Sequence, residues 1–315
     1  MGIFDKRINY KPFEYPEVLT FIEAINKSYW VHSEVDFTAD IQDFKANLNP
    51  TEKEVVKRSL LSIAQIEVAV KAFWGDLYKH FPKPEINGLG STFAESEFRH
   101  SEAYSRLLEV LGYNEEFAKA LESPIFRERV EMVSDGLDTD SIAKKLLFFT
   151  VIVENSSLFS QFANILSFTR FKGYMKNTSN IIAWTSIDEQ THANAGIYLI
   201  NKIREEGHPV PTQEEVSEFA KNALDFEEKL LSWIYENGEL EFFTKTDMLN
   251  FMRYRVDEAL VNMGYEKVFH TTAEEYKPMK WFEEDVFANE LDDFFAKRPT
   301  AYTKHDKSIT ANDLF

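Results

Sequence analysis

Cysteine is absent from the 315 residues, which excludes disulfides, thiolate-ligated zinc or iron–sulfur sites, and any thiol chemistry on this chain. Glycine and proline are scarce at 11 and 10 residues, against ordinary shares of roughly 7% and 5%. So few breakers suit neither glycine-rich phosphate loops nor the frequent turns of an all-β fold, and they point to long helices. Positive charge is short as well: 35 Lys and Arg face 53 Asp and Glu, a formal net charge of −18, so nucleic acid is not an expected partner. Long hydrophobic runs are missing too. The longest, Leu146 to Val153 interrupted only by Thr150, ends at Glu154, far below the ~20 residues of a membrane span. Asp5, Lys6 and Arg7 stand where a secretion signal would need apolar residues. A soluble, cytoplasmic protein with no membrane partner is expected.

Aromatic residues, by contrast, make up 15% of the chain, with 28 Phe, enough for a large core under an acidic surface. Proline is missing from 51–81, 125–208 and 212–277, and apolar residues recur there at three- and four-residue spacing. The pattern predicts helices from about 50 to 80, 91 to 111, 139 to 171, onward to 204, 212 to 237 and 246 to 263. Asn49, Pro50 and Glu52 read as an N-cap, a first-turn proline and a capping-box acid. Phe81-Pro82-Lys83-Pro84 breaks the first pair of helices, Ser123-Pro124 and Asp135-Gly136 punctuate the middle, and Gly173 ends the helix before it. With no repeats, one all-α domain over 1–280 is expected. The polar stretch 281–315 carries Trp281-Phe282 and Phe294-Phe295 and closes on Ala311-Asn312-Asp313-Leu314-Phe315. It reads as a flexible docking tail or as an unstructured end.

Two Glu-x-x-His pairs, Glu97 with His100 and Glu189 with His192, fall on predicted helices, where residues three apart share a face and can serve one metal. A third match, Glu205 with His208, is read as chance because Gly207 and Pro209 break any helix there. Two lone glutamates stand on apolar faces: Glu67 among Leu60, Ile63, Ala64 and Trp74, and Glu154 between Phe148-Phe149 and Leu158-Phe159. A buried carboxylate costs several kcal/mol unless a cation or a hydrogen bond compensates it, so each meets either a metal or a Tyr or Arg partner. Glu67 and Glu97 are equidistant from Pro82, and Glu154 and Glu189 from the turn beside Gly173. Two antiparallel hairpins would therefore bring four carboxylates and two imidazoles to one level, the dimetal pattern of ferritin-like bundles.

On these residues the chain resembles the small, radical-generating subunit of class I ribonucleotide reductase. The resemblance implies a ferritin-like bundle with additional helices, metal ligands Glu67, Glu97, His100, Glu154, Glu189 and His192, a cysteine-bearing large subunit as partner, and a homodimer. It implies further that Trp30, followed by Glu34-Val35-Asp36, relays the radical, that Asp188 links Trp30 to His100, and that Tyr104 stands at the radical-tyrosine position. Phe294-Phe295-Ala296-Lys297-Arg298 and Tyr302 resemble the family's tail segment and tail radical tyrosine, and the extreme C-terminus its docking peptide. Two departures matter: Glu67 occupies a position usually held by Asp, and Phe93 one often held by Trp. Lys71, four residues after Glu67, adds a cation on that face. Glu67 with Lys71 resembles the manganese-only subgroup, whose oxidised metal pair is itself the radical initiator and whose oxidant is superoxide. A dimanganese centre is favoured, with diiron or mixed manganese–iron as alternatives. A related ligand-binding oxidase would share the ligands but need neither Trp30, Asp188 nor Tyr302, and ferritin-like storage would need no long tail.

Overall fold

The computed structural model describes residues 2–287. Among them helices account for nearly all regular structure and no strand occurs. Residues Met1–Lys280 make one compact unit; a second begins at Trp281, of which the short helix Trp281–Val286 is described. The tail positions 294–298, Tyr302 and 311–315 lie outside the described residues.

Eight helices organise the first unit: α1 Val18–Lys27, α2 Pro50–Gly75, α3 Pro84–Leu111, α4 Pro124–Leu137, α5 Ile142–Lys172, α6 Lys176–Glu205, α7 Gln213–Ile234 and α8 Lys245–Asn262. Helices α2, α3, α6 and α5 close a four-membered ring of neighbours, the bundle that the two hairpins predict. Outside it, α1 lies against α3 and α6, α8 covers the middle of α5, and α7 packs on α8. Helix α2 begins as its sequence dictates: the Asn49 side chain accepts from Glu52 N, and Glu52 returns a bond to Asn49 N, at 3.0 and 2.8 Å. It ends at Gly75, a turn short of the predicted His80, and Leu77–Lys79 form a tighter turn.

Several boundaries depart from the sequence reading. Helix α3 starts at Pro84 and not at Ser91, because Pro84 is a first-turn proline whose missing N–H has no helical partner to lose. Helix α1 and the helical turns between Thr38 and Asn47 are too short for their periodicity to stand out in the sequence, as are those at Ala273–Tyr276 and Lys277–Met279. Asp135-Gly136 does not interrupt the chain either: α4 runs through it. A Cβ on Gly136 would come within 2.7 Å of the Phe148 ring, so this glycine permits helix contact and makes no turn.

Helix α5 contains the decisive irregularity. Between Phe148 and Ser157 its hydrogen bonds run to the fifth residue instead of the fourth, a widened turn of the kind found at functional sites. Thr150, Val151, Ile152 and Val153 are β-branched and stiff at χ1, and they fill this stretch. Although α5 is long and apolar enough to cross a membrane, its most apolar window is entirely buried in the protein. It is the core helix of the bundle, longer than the eight-residue run suggested because Asn155, Ser156, Ser157, Ser160, Gln161 and Asn164 are buried with it.

Candidate metal centre

The six predicted ligands converge. Glu67 comes from α2, Glu97 and His100 from α3, Glu154 from the widened turn of α5, and Glu189 and His192 from α6; all are fully buried. They form two overlapping groups whose ligand atoms lie within 4.8 Å of one another: Glu67, Glu97, His100 and Glu189, and Glu97, Glu154, Glu189 and His192. Glu97 and Glu189 belong to both. Each turns one oxygen to each imidazole: Glu97 Oε2 is 3.2 Å from His100 Nδ1 and its Oε1 2.8 Å from His192 Nδ1, while Glu189 offers 3.1 and 3.3 Å. Carboxylates so placed could serve both halves of a metal pair. Glu67 faces only His100, at 3.9 Å, and Glu154 faces His192, at 3.8 Å, as terminal ligands would.

The donor set fits a metal pair. Both oxygens of Glu67 and one of Glu154 are buried without a hydrogen bond, and Glu97 Oε1 and Glu189 Oε1 meet only imidazole nitrogens, a deficit that two divalent cations facing four carboxylates would remove. Burial lifts Glu67 well above the ordinary carboxylate range, with the charge of Glu97 adding to the effect, and burial likewise raises Glu154. Burial also acts to raise Glu97, yet His192 and His100 outweigh it and hold that carboxyl low. For the imidazoles burial favours the neutral form, but the surrounding carboxylates prevail. They hold His100 well above its usual range and push His192 up to about 10. The carboxylates thus favour the imidazolium form of both rings.

Each histidine is oriented from behind. His100 Nε2 lies 3.2 Å from Asp188 Oδ2. His192 Nε2 lies 2.9 Å from Ser96 Oγ, whose own proton is spent on Phe93 O at 2.9 Å, so the imidazole must donate. With Nε2 protonated on both rings, Nδ1 is the nitrogen turned to the cluster, and such outer partners set ligand tautomer and basicity. Trp74 Nε1 donates to Glu154 Oε1 at 2.5 Å; neither a Tyr nor an Arg supplies that bond. Gly196 lets α6 approach α5 here, since a Cβ would fall 1.9 Å from Thr150 Oγ1.

Trp30 is 1% exposed and donates from Nε1 to Asp188 Oδ2 at 3.0 Å; its ring stacks on His100 at 5.6 Å and 13°. Asp188 accepts further from Ser28 Oγ at 3.2 Å. Arg99 stands 3.8 Å from Asp188 and donates to Trp30 O at 3.1 Å. The sequence reading passed over Ser96, Arg99 and the Trp74 bond. Ser96 and Arg99 flank ligand positions on α3 and Trp74 lies seven residues after Glu67, a spacing that could have flagged them. Tyr104 is fully buried beside Thr185, whose hydroxyl bonds back to Ile181 O at 3.0 Å, and the phenol makes no well-formed hydrogen bond. Burial, then the charge of Glu67, raises it far above an ordinary phenol. Lys71 is not among the groups at the cluster: half-buried, it carries its ammonium 5.6 Å from the centroid of Phe98, an exposed ring. Four residues along a helix is 40° from true alignment, and a lysine stem is long enough to carry the charge outward. Glu205 pairs with Lys202 at 2.7 Å and His208 meets Phe4 edge-on, so the third Glu-x-x-His match assembles nothing.

Comparison with known proteins agrees with this geometry. Residues 7–278 match the family "Ribonucleotide reductase, small chain". The "probable ribonucleoside-diphosphate reductase small subunit 376L" of Invertebrate iridescent virus 6 is 28% identical, with 100% of this chain and 99% of the viral protein covered. Among solved structures, the dimanganese(II) NrdF of Streptococcus sanguinis superposes with a TM-score of 0.75 at 19% identity, covering 88% of this chain and 98% of that one. The Rnr4 homodimer of Saccharomyces cerevisiae gives 0.73 at 16%, covering 89% and 90%. At such identities the superpositions establish the ferritin-like fold. The family match over most of the length goes further: this chain belongs to the ribonucleotide reductase small chain family and is an oxidoreductase subunit of the ribonucleoside-diphosphate reductase type.

Proposed function

We propose that Glu67, Glu97, His100, Glu154, Glu189 and His192 would hold a pair of manganese ions, and that His100, Asp188 and Trp30 form the route connecting that site to a cysteine-bearing large subunit. The observation that carries the reading is the double donor set with two carboxylates common to both groups, in which buried oxygens of Glu67 and Glu154 have no hydrogen bond. When bound and oxidised, the metal pair supplies a one-electron oxidant; reduction of ribonucleoside diphosphates takes place on the partner, because a chain without cysteine has no thiol to offer. Trp30 is the electron donor at the protein end. Its Nε1–H already points at Asp188 Oδ2, so loss of an electron from the indole can be matched by transfer of its proton to that carboxylate along a 3.0 Å hydrogen bond. Arg99 keeps a positive charge facing Asp188. The arrangement is the feature a ligand-binding oxidase would not require.

Manganese is favoured over the tyrosyl-radical alternatives by two features. Glu67 supplies a longer carboxylate than the Asp usual in that group, and the Tyr104 phenol has no aligned acceptor for the proton it would shed on oxidation. Lys71 is left out of the centre. Beyond the described residues, Tyr302 continues the relay and the peptide ending at Phe315 docks on the large subunit. The subunit pairs with a second copy of itself, as the yeast Rnr4 relative does. Metal analysis and electron paramagnetic resonance of the activated full-length chain, with turnover measured beside the large subunit, test the whole reading. A tyrosyl signal would overturn the metal-centred radical, and iron as the metal that supports turnover would overturn the manganese assignment.

A further inference from the structure

Arg255 lies on α8, which supplies no ligand, and is 4% exposed. Its Nε donates to the backbone oxygen of Asn155 at 2.7 Å, its Nη2 to Asn155 Oδ1 at 3.0 Å and to Gln190 Oε1 at 2.8 Å. Asn155 returns the contact, donating from Nδ2 to Arg255 O at 2.7 Å. The guanidinium also sits flat enough on Phe159 for its carbon to lie 3.6 Å from the ring centroid, so stacking and a planar fork of donors fix it together. Asn155 directly follows Glu154, and Gln190 directly follows Glu189. One side chain therefore grips the residue after a ligand on α5 and the residue after a ligand on α6.

The grip falls where α5 is least able to hold itself. A widened turn that returns to ordinary helical spacing leaves carbonyl groups out of register with their donors, and Asn155 lies inside that stretch. An external donor on its carbonyl, with a second on its side chain, opposes relaxation of the turn to a regular helix. Relaxation would rotate Glu154 away from His192. The link to Gln190 adds a fixed spacing between α5 and α6 at the level of Glu154 and the shared ligand Glu189.

We propose that Arg255 is a positioning residue for the metal centre: by clamping Asn155 and Gln190 it holds Glu154 and Glu189 at the separation a metal pair needs, without touching either ligand. The inference rests on the ligand assignment above, and its test separates the two. Full-length metal-free protein is titrated with manganese(II) alone, and the bound pair is followed by its electron paramagnetic resonance spectrum; unfolding of the metal-free chain is measured in parallel. Arg255→Met keeps the bulk and loses every donor. Gln190→Ala removes the link to α6, and with it only an exposed bond to Asn194 one turn along the same helix, from a half-exposed position and spares the fold if Arg255→Met does not. Both are expected to weaken manganese binding, Arg255→Met by about 10- to 100-fold, as for other outer partners of ligands, and to replace the coupled-pair spectrum by that of isolated ions. Arg255→Lys, with a single point of donation, is expected to restore little. A lower melting temperature with wild-type affinity and spectrum in the folded protein overturns the proposal, as does wild-type behaviour of both variants. If Glu154→Ala and Glu189→Ala each still bind two ions, the ligand assignment itself is wrong and the proposal goes with it.

Discussion

Tyr104 is buried with its phenol unpaired, so oxidising it would strand a proton in a low-dielectric core. Tyr104→Phe is therefore expected to keep substantial turnover with the large subunit. Complete loss in that variant, together with a tyrosyl spectrum in the parent, would return the chain to the tyrosyl-radical group. Trp30→Phe should behave oppositely: the ring is retained and the core stays filled, but the Nε1–H that meets Asp188 is gone. Metal content should match wild type while turnover falls to background; normal turnover would remove Trp30 from the route. Lys71 gives the contrasting case. With its ammonium over the exposed Phe98, Lys71→Met is expected to change manganese affinity by about twofold or less, as surface substitutions generally do. A tenfold loss in a manganese titration would bring the lysine back to the centre.

At the scale of helices, the close passage of α6 over α5 is the feature most exposed to test. Gly196 leaves no room for a methyl group opposite Thr150, so Gly196→Ala must push the two ligand-bearing helices apart or distort the widened turn. The expected loss is about 1–3 kcal/mol in denaturant unfolding, the range for overpacked cores. Manganese affinity should fall with it, because Glu154 and Glu189 lie on the separating elements. Unchanged stability would mean that the turn absorbs a methyl group without strain. The same element marks where sequence reasoning stopped. Helix α5 was legible as a helix from its spacing and its end at Gly173, but nothing in the one-dimensional pattern says that its hydrogen bonds skip a residue between Phe148 and Ser157. Hydrogen-bond register depends on what packs against the backbone, here α6, α8 and the widened turn's own crowded branched side chains.

For the molecule as a whole, metal uptake should expel protons. His100 and His192 are held protonated above their ordinary range, the latter to about 10, and Glu67 and Glu154 are raised by burial. All four must be deprotonated to act as ligands, so apparent manganese affinity is expected to rise with pH through neutrality. Calorimetric titration in two buffers of different ionisation heat reads the number released; equal heats in both would contradict the cluster's protonation. Assembly supplies the last expectation: truncation from about residue 303 should abolish binding to the large subunit while leaving metal content intact. Undiminished binding by the truncated chain would refute the docking role of the tail.

The chemistry was within reach of the sequence because each part of it has a local signature. Two Glu-x-x-His pairs on a helical period, two carboxylates on apolar faces and their equal distances from Pro82 and Gly173 require only helix geometry, and no cysteine in the chain means the thiols must lie elsewhere. Which oxygen meets which imidazole was not within reach. Glu97 and Glu189 face both imidazoles while Glu67 and Glu154 face one each because four helices cross at fixed spacing, a property of packing and not of any one segment. The direction of long side chains was equally hidden: Lys71 lies four residues from Glu67 by sequence, yet turns toward Phe98. Ser96, Trp74 and Arg255 acquire their contacts only once distant helices are in place. A periodic pattern fixes the face on which a residue lies; the neighbour it meets there is decided by the other helices.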